Sequence, residues 1–167
     1  MAFSGMDKYF NESKIVLTGN PVRQDLTLIK NKLDGLRYFN LEPNKITIGV
    51  LGGSLGAGAI NQTMLNCYDA ILERSDIQWI WQAGAIYQKK ISEHPISNCN
   101  AVKVLPFIDR MDLFYAACDL IVSRAGALTL PELSLTGKPC TLIPSPNVAE
   151  DHQRKNAEAF GCVGKSG

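Results

Sequence analysis

At 167 residues, 46% hydrophobic and 20% charged, the chain has the composition of one globular domain with room for a sizeable core. Its net charge of +1, from 17 basic and 16 acidic side chains, excludes the electrostatic footprint of a nucleic-acid binder or a polybasic membrane patch. Five scattered cysteines without a Cys-x-x-Cys, and only two histidines, exclude a disulfide framework, a zinc ribbon and a His-rich metal site.

The opening "MAFSGMDKYF" lacks a basic stretch followed by an apolar one, so no secretory leader is expected. Cys67, Cys99, Cys118, Cys140 and Cys162 are read as reduced, cytoplasmic thiols. "KIVLTGNPVR" (14–23) reads as a short strand closed by an Asn-Pro turn. Residues 24–45 carry one weak helical pattern (Leu26, Ile29, Lys30, Leu33) and end in "NLEPNK", a linker-like segment.

A regular alternation follows. "ITIGVLGG" reads as a buried strand, and "AGAINQTMLNCYDAILER" as a helix with apolar residues at Ile60, Met64, Leu65, Tyr68, Ile71 and Leu72. "IQWIWQAG" is a second strand, followed by a helix over 85–93. "AVKVLPF" is a third strand, and "DRMDLFYAAC" a helix with Asp109 as its expected cap. "DLIVSRAG", a helix from about Leu130 to Leu135, "KPCTLIPS" and a last helix in "EDHQRKNAEAF" complete the series. Apolar strands alternating with helices predict βαβ units, that is, an α/β, Rossmann-like parallel sheet with helices on both faces. Such sheets bind ligands beyond the carboxyl ends of their strands. That rule selects the loops 52–58, 82–84, 106–109, 123–129 and 144–152.

The glycines of "GGSLGAG" at 52, 53, 56 and 58 allow a tight turn and close approach of a ligand to main-chain N–H groups, with the next helix start adding its dipole and Ser54 a hydroxyl. The same glycines also suit a bare turn. No Walker lysine follows, and Leu51 stands where a dinucleotide fingerprint needs its first glycine. The second strand ends in "IWQAG" without the acid that would hold an NAD ribose. In "SRAGALTLPEL", Thr129 and Glu132 fit a capping box, and Glu132 equally fits a carboxylate accepting two ribose hydroxyls. Leu128 and Thr129 are placed to offer N–H groups to a phosphate. In the last loop Gln153 is suited to sugar hydroxyls. A lone His152 reads more readily as an exposed or capping residue than as a base.

"TGNPVR", "GGSLGAGAINQ", "FIDRM", "RAGALTLPEL" and "AEDHQRKNA", in this order, closely resemble the C-terminal half of the MurG family of bacterial glycosyltransferases. The likeness runs from about residue 3 to the end. It implies one half of a GT-B type enzyme: the UDP-N-acetylglucosamine-binding half of an inverting transferase that delivers N-acetylglucosamine to lipid I, making lipid II. The implied division is 1–23 as the tail of the acceptor half and hinge, 24–45 as connection and 46–167 as the donor domain, shortened at its C-terminus. The resemblance assigns Glu132 to the ribose and Gly53 and Ser54 to the diphosphate loop. It gives Leu128 and Thr129 to phosphate through the backbone, and Ile108 to the uracil edge through its main chain. His152 and Gln153 fall over the sugar, with glutamine in place of His152 in some members. Arg23 falls near the uracil, and Asn61 in the same neighbourhood. It implies no cofactor and no protein-held metal. The acceptor, the base and a peripheral contact with the cytoplasmic face of the inner membrane belong to an N-terminal half outside this sequence, and donor binding without turnover is the expectation for this chain. Two other readings are a donor-binding subunit working in trans and a protein like the UDP-sugar 2-epimerases.

Overall fold

The computed structural model describes residues 31–53 and 55–145, together with Leu26, Gln153, Arg154, Ala157 and Glu158. The expected first strand, Arg23, Ser54, His152 and most of the last helix lie outside the described residues. Five parallel strands form where the five apolar runs predict them: β1 (Ile46–Leu51), β2 (Ile77–Gln82), β3 (Val102–Leu105), β4 (Leu120–Ser123) and β5 (Cys140–Leu142). Their order is β3-β2-β1-β4-β5. The chain therefore builds outward from β1 in one direction and then returns to its other side. The switch point lies between β1 and β4.

Strand alternation divides the side chains between two buried faces, and for that reason the strands read as nearly continuous apolar runs. Ile48 and Val50 of β1 and Trp81 of β2 pack under α2 (Gly58–Asn66), α3 (Tyr68–Leu72) and α4 (Gln88–Ser92), through Ile60, Met64, Ile71 and Ile91. Leu51, Ile80 and Ile121 point to the other face. There they meet α1 (Lys32–Tyr38), α5 (Met111–Ala117) and α6 (Thr129–Thr136) through Leu36, Leu113, Phe114 and Leu133.

Several details differ from expectation. The long helix after β1 is divided at Cys67. The bonds Cys67 N–H to Thr63 O and Ile71 N–H to Cys67 O nevertheless continue the helical ladder, so α2 and α3 form one bent run. Asp109 does not cap α5. The N-cap position is Arg110, which makes no side-chain capping bond. Its guanidinium instead grips the buried Asp112 carboxylate in the first turn with a two-pronged contact of 2.9 and 2.7 Å. Asp112 also sits where the helix dipole favours an acid.

Within the segment read as a connection, the helix starts later than the weak pattern suggests. The Asn31 side chain accepts the Leu33 N–H at 3.0 Å, and α1 follows. Gly35 lets α1 lie directly on α5: a Cβ there would press on the Leu113 carbonyl and stand 2.8 Å from the Ala117 nitrogen. The linker-like stretch is pinned too. Gln78 of β2 accepts the Glu42 N–H at 2.9 Å and donates to the Glu42 carbonyl at 2.7 Å, replacing a strand partner with a side-chain amide.

Asp119 ties α1 to the amino-terminal edge of the sheet. Its carboxylate accepts Lys32 Nζ at 2.6 and 2.7 Å and the Thr47 N–H at 2.9 Å. Burial pushes the Asp119 pKa up, but the Lys32 and Thr47 bonds and the Lys32 charge outweigh burial and hold it below its usual value. Such a group stabilises the fold fully above the unfolded carboxylate value and loses that contribution as pH falls through the folded value. Lys32 and Asp119 are 39% and 37% exposed, so solvent screening keeps the effect small. Asp119→Ala is expected to cost about 1 kcal/mol in urea unfolding at neutral pH. The gap from the parent chain should narrow as pH falls below about 4, the unfolded carboxylate range, and close only below Asp119's lowered folded value, where the parent site is also uncharged.

Candidate functional site

Leu51, Gln82 and Ser123 end three neighbouring strands on one rung, Leu51 pairing with both of the others. A cavity of about 370 Å³ opens above them, at the switch point and beyond the carboxyl ends of the strands. The β1–α2 turn contributes Gly53. The β3–α5 connection and α5 contribute Phe107, Ile108 and Tyr115. The β4–α6 connection and helix start contribute Arg124, Leu128, Thr129 and Glu132. The structure thus brings together five of the residues singled out in the sequence: Gly53, Ile108, Leu128, Thr129 and Glu132.

The glycine turn separates into two kinds of glycine. Gly53 holds φ +81° and has open space where a Cβ would stand, on the cavity wall. Gly56 also has a positive φ, +79°, but for packing: a Cβ would strike the Ala83 carbonyl and come 2.8 Å from the Tyr87 ring. A Cβ at Gly58 would stand 2.9 Å from the Tyr87 hydroxyl, and one at Gly52 would stand 2.9 Å from the Ala57 nitrogen. Of the four glycines, only Gly53 leaves open space where a side chain would stand; the other three serve packing within the turn. Two loop amides are already engaged, Gly52 N–H on Gln82 O at 3.2 Å and Gly56 N–H on Gly53 O at 3.0 Å.

Asn61 lies apart from this group. It is 2% exposed, donates to Ala83 O at 2.8 Å and accepts Trp81 Nε1–H at 3.1 Å. Its amide locks α2 to the end of β2 and does not line the cavity. The assignment of Thr129 also changes. Its N–H donates to Gly126 O at 3.1 Å, which makes Thr129 the first residue inside α6 and leaves Leu128 at the N-cap position. A capping box needs Thr129 one place earlier, so Thr129 and Glu132 do not form one. Instead Glu132 Oε2 accepts the Tyr115 hydroxyl at 2.9 Å. Gln153 accepts the Ser145 N–H at 2.8 Å and is not part of the cavity lining.

Ile108 is buried, and its N–H donates to Gln82 Oε1 at 3.1 Å. The Ile108 N–H is thus already engaged by a buried glutamine that sequence reasoning passed over. The sign was a glutamine closing a mostly apolar strand, "IQWIWQ". Arg124 was passed over as well. It lines the cavity and donates through one guanidinium nitrogen to Ile143 O at 3.3 Å and Pro144 O at 2.9 Å, strapping the loop after β4 to the exit of β5. Tyr115 sits in a largely apolar helix and gave no signal of its own.

With this geometry in place, three comparisons bear on the chain. The sequence profile described as the glycosyltransferase family 28 C-terminal domain matches residues 47–166. Curated relatives named UDP-N-acetylglucosamine–N-acetylmuramyl-(pentapeptide) pyrophosphoryl-undecaprenol N-acetylglucosamine transferase include those of Flavobacterium psychrophilum, 48% identical over 100% of this chain, and Parabacteroides distasonis, 50% identical over 96%. The chain spans 44% of the length of each. Among solved structures it is similar to MurG of Acinetobacter baumannii, with a TM-score of 0.61 and 27% identity over 90% of this chain and 42% of that one. A glycosyltransferase of Rickettsia africae shares the fold, with a TM-score of 0.57 at 15% identity over 92% of this chain and 49% of that one. The sheet is thus a Rossmann-like half of the GT-B type.

The two kinds of glycine should separate in a thermal unfolding comparison. Gly53→Ala is expected to cost only the left-handed backbone strain, about 1–2 kcal/mol. Gly56→Ala carries the same strain and must also displace the Ala83 carbonyl and Tyr87, so it should melt distinctly lower.

Proposed function

The chain belongs to the glycosyltransferase family 28 C-terminal domain family, and on that premise we propose that it binds UDP-N-acetylglucosamine as the donor half of an inverting glycosyltransferase that makes lipid II from lipid I. The observation that carries this reading is a carboxylate, Glu132, sharing one cavity with the open wall of the Gly53 turn and the start of α6. A ribose diol is a pair of donors, which a carboxylate accepts side by side. A diphosphate is an anion that needs main-chain N–H groups and a helix start without Cβ interference. The two ends of one nucleotide sugar meet both demands.

In this reading the chain supplies leaving-group stabilisation. As the sugar–phosphate bond breaks, charge develops on the diphosphate, and preorganised donors at the turn and helix start favour that state over the ground state. Deprotonation of the acceptor hydroxyl and its alignment with the anomeric carbon are work for the partner half. Leu55, Ile86, Phe107 and Leu128 are exposed apolar side chains on the loops of this edge, which suits an edge that faces a second half across a cleft. Lipid I and the inner-membrane surface are contacted through that other half, on the cytoplasmic side. Among the described residues no helix is long and apolar enough to cross a membrane.

Calorimetric titration tests the reading. Glu132→Ala is expected to weaken UDP binding about tenfold or more, since hydrogen bonds to a charged acceptor are worth about 1.5–3 kcal/mol. Gly53→Val should block both UDP and UDP-N-acetylglucosamine while the sheet stays folded by circular dichroism. Unchanged affinity in both variants would leave this cavity without a nucleotide role.

A further inference from the structure

We propose that Tyr115 is a positioning residue that holds the Glu132 carboxylate in the orientation that accepts the ribose hydroxyls. This inference rests on the ribose reading of Glu132 given above and names a second residue that serves it.

Tyr115 is 2% exposed, yet its side chain reaches the cavity wall. Its ring meets Phe114 edge-to-face, with centroids 5.4 Å apart and planes at 70°. The hydroxyl crosses from α5 to the first turn of α6 and donates to Glu132 Oε2 at 2.9 Å. Glu132 is half-buried on the same wall. A glutamate of this kind has rotamer freedom to lose when it grips a ligand, and the loss weakens binding. A phenol fixed by packing removes part of that freedom in advance. A carboxylate has about four acceptor positions, and one phenol engages only one of them. Tyrosine is neutral, so it orients the carboxylate without the competing charge that an arginine or lysine would bring. The neighbouring helix residues "MDLFYAA" are largely apolar, so the hydroxyl stands out as the group that reaches Glu132.

A merely structural staple between α5 and α6 would lower stability without caring about the ligand's ribose. The test therefore pairs Tyr115→Phe with two ligands, UDP and 2′,3′-dideoxyuridine diphosphate, titrated calorimetrically against the parent chain, Glu132→Ala and the double variant. Tyr115→Phe is expected to weaken UDP about fivefold and the dideoxy ligand less than about twofold. In the Glu132→Ala background it should have no further effect on UDP. An equal loss on both ligands, or no loss on UDP, overturns the positioning role while the Glu132 reading stands. If Glu132→Ala itself is harmless and the parent chain binds both ligands alike, the ribose reading falls first and takes this inference with it. Should Tyr115→Phe melt near the assay temperature, 3-fluorotyrosine at position 115 keeps the shape and changes only the donor. UDP affinity must then shift while the dideoxy ligand does not, and an identical response of the two overturns the proposal.

Discussion

Leu51, Gln82 and Ser123 close β1, β2 and β4 on a single hydrogen-bonded rung, and the cavity depends on that alignment. Parallel strands send every connection out on the same side, so the Gly53 turn, the Ile108 connection and the start of α6 emerge together. No contact between those loops is needed to bring them there; the register does it. The reversal of strand order between β1 and β4 then separates the crossovers and leaves a crevice instead of a packed seam. Had Leu51 paired one residue later on either side, its neighbours' side chains would have turned to the opposite face and the floor would be a different set of atoms.

Small residues and side-chain amides, not charges, keep this edge in shape. Gly84 has a positive φ and lies against Gly56, where a Cβ would come 2.6 Å from the Gly56 Cα, so the turn after β1 and the turn after β2 pack backbone to backbone. Asn61 joins the same layer by holding Ala83 O and Trp81 Nε1. Gln82 carries the support onward to Ile108. Each of these amides is buried and hydrogen-bonded, and a satisfied buried amide fixes one arrangement because any displacement leaves a polar group unpaired in a low-dielectric interior. The cavity wall can then stay open at Gly53, since the rigidity comes from the layer behind it.

The sheet was legible in the sequence because helices cover both of its faces, which turns each strand into an apolar run bounded by polar loops. The site was legible only in part. A glycine is silent about why it lacks a Cβ: "GGSLGAG" contains one glycine, Gly53, that faces open space and others that spare Tyr87 and Ala83, and the difference lies in what stands opposite, far along the chain. Gly35 is silent in the same way: what it spares, the Leu113 carbonyl and Ala117 of α5, lies far along the chain. Asp109 looked like a cap because caps are recognised by residue type, whereas the helix start was set one position on by the Arg110–Asp112 pair.

Glu132 shows how a one-residue shift decides between two roles. A capping box and a ribose carboxylate both require an acid in the first turn of a helix after a glycine-bearing loop, so local sequence satisfies either. The box also demands that the hydroxyl residue three places earlier stand outside the helix, with its side chain turned to the orphan amides. Here Gly126 O takes both the Thr129 and Leu130 N–H groups, drawing Thr129 into the helix and leaving Leu128 at the boundary. With no hydroxyl at the boundary there is no reciprocal pair to hold the glutamate down on its own helix. Its carboxylate turns instead toward α5 and the cavity, where Tyr115 meets it. Leucine at the cap position is a poor choice for helix stability. The Gly126 carbonyl offsets part of that cost by engaging the Thr129 and Leu130 N–H groups from outside the helix.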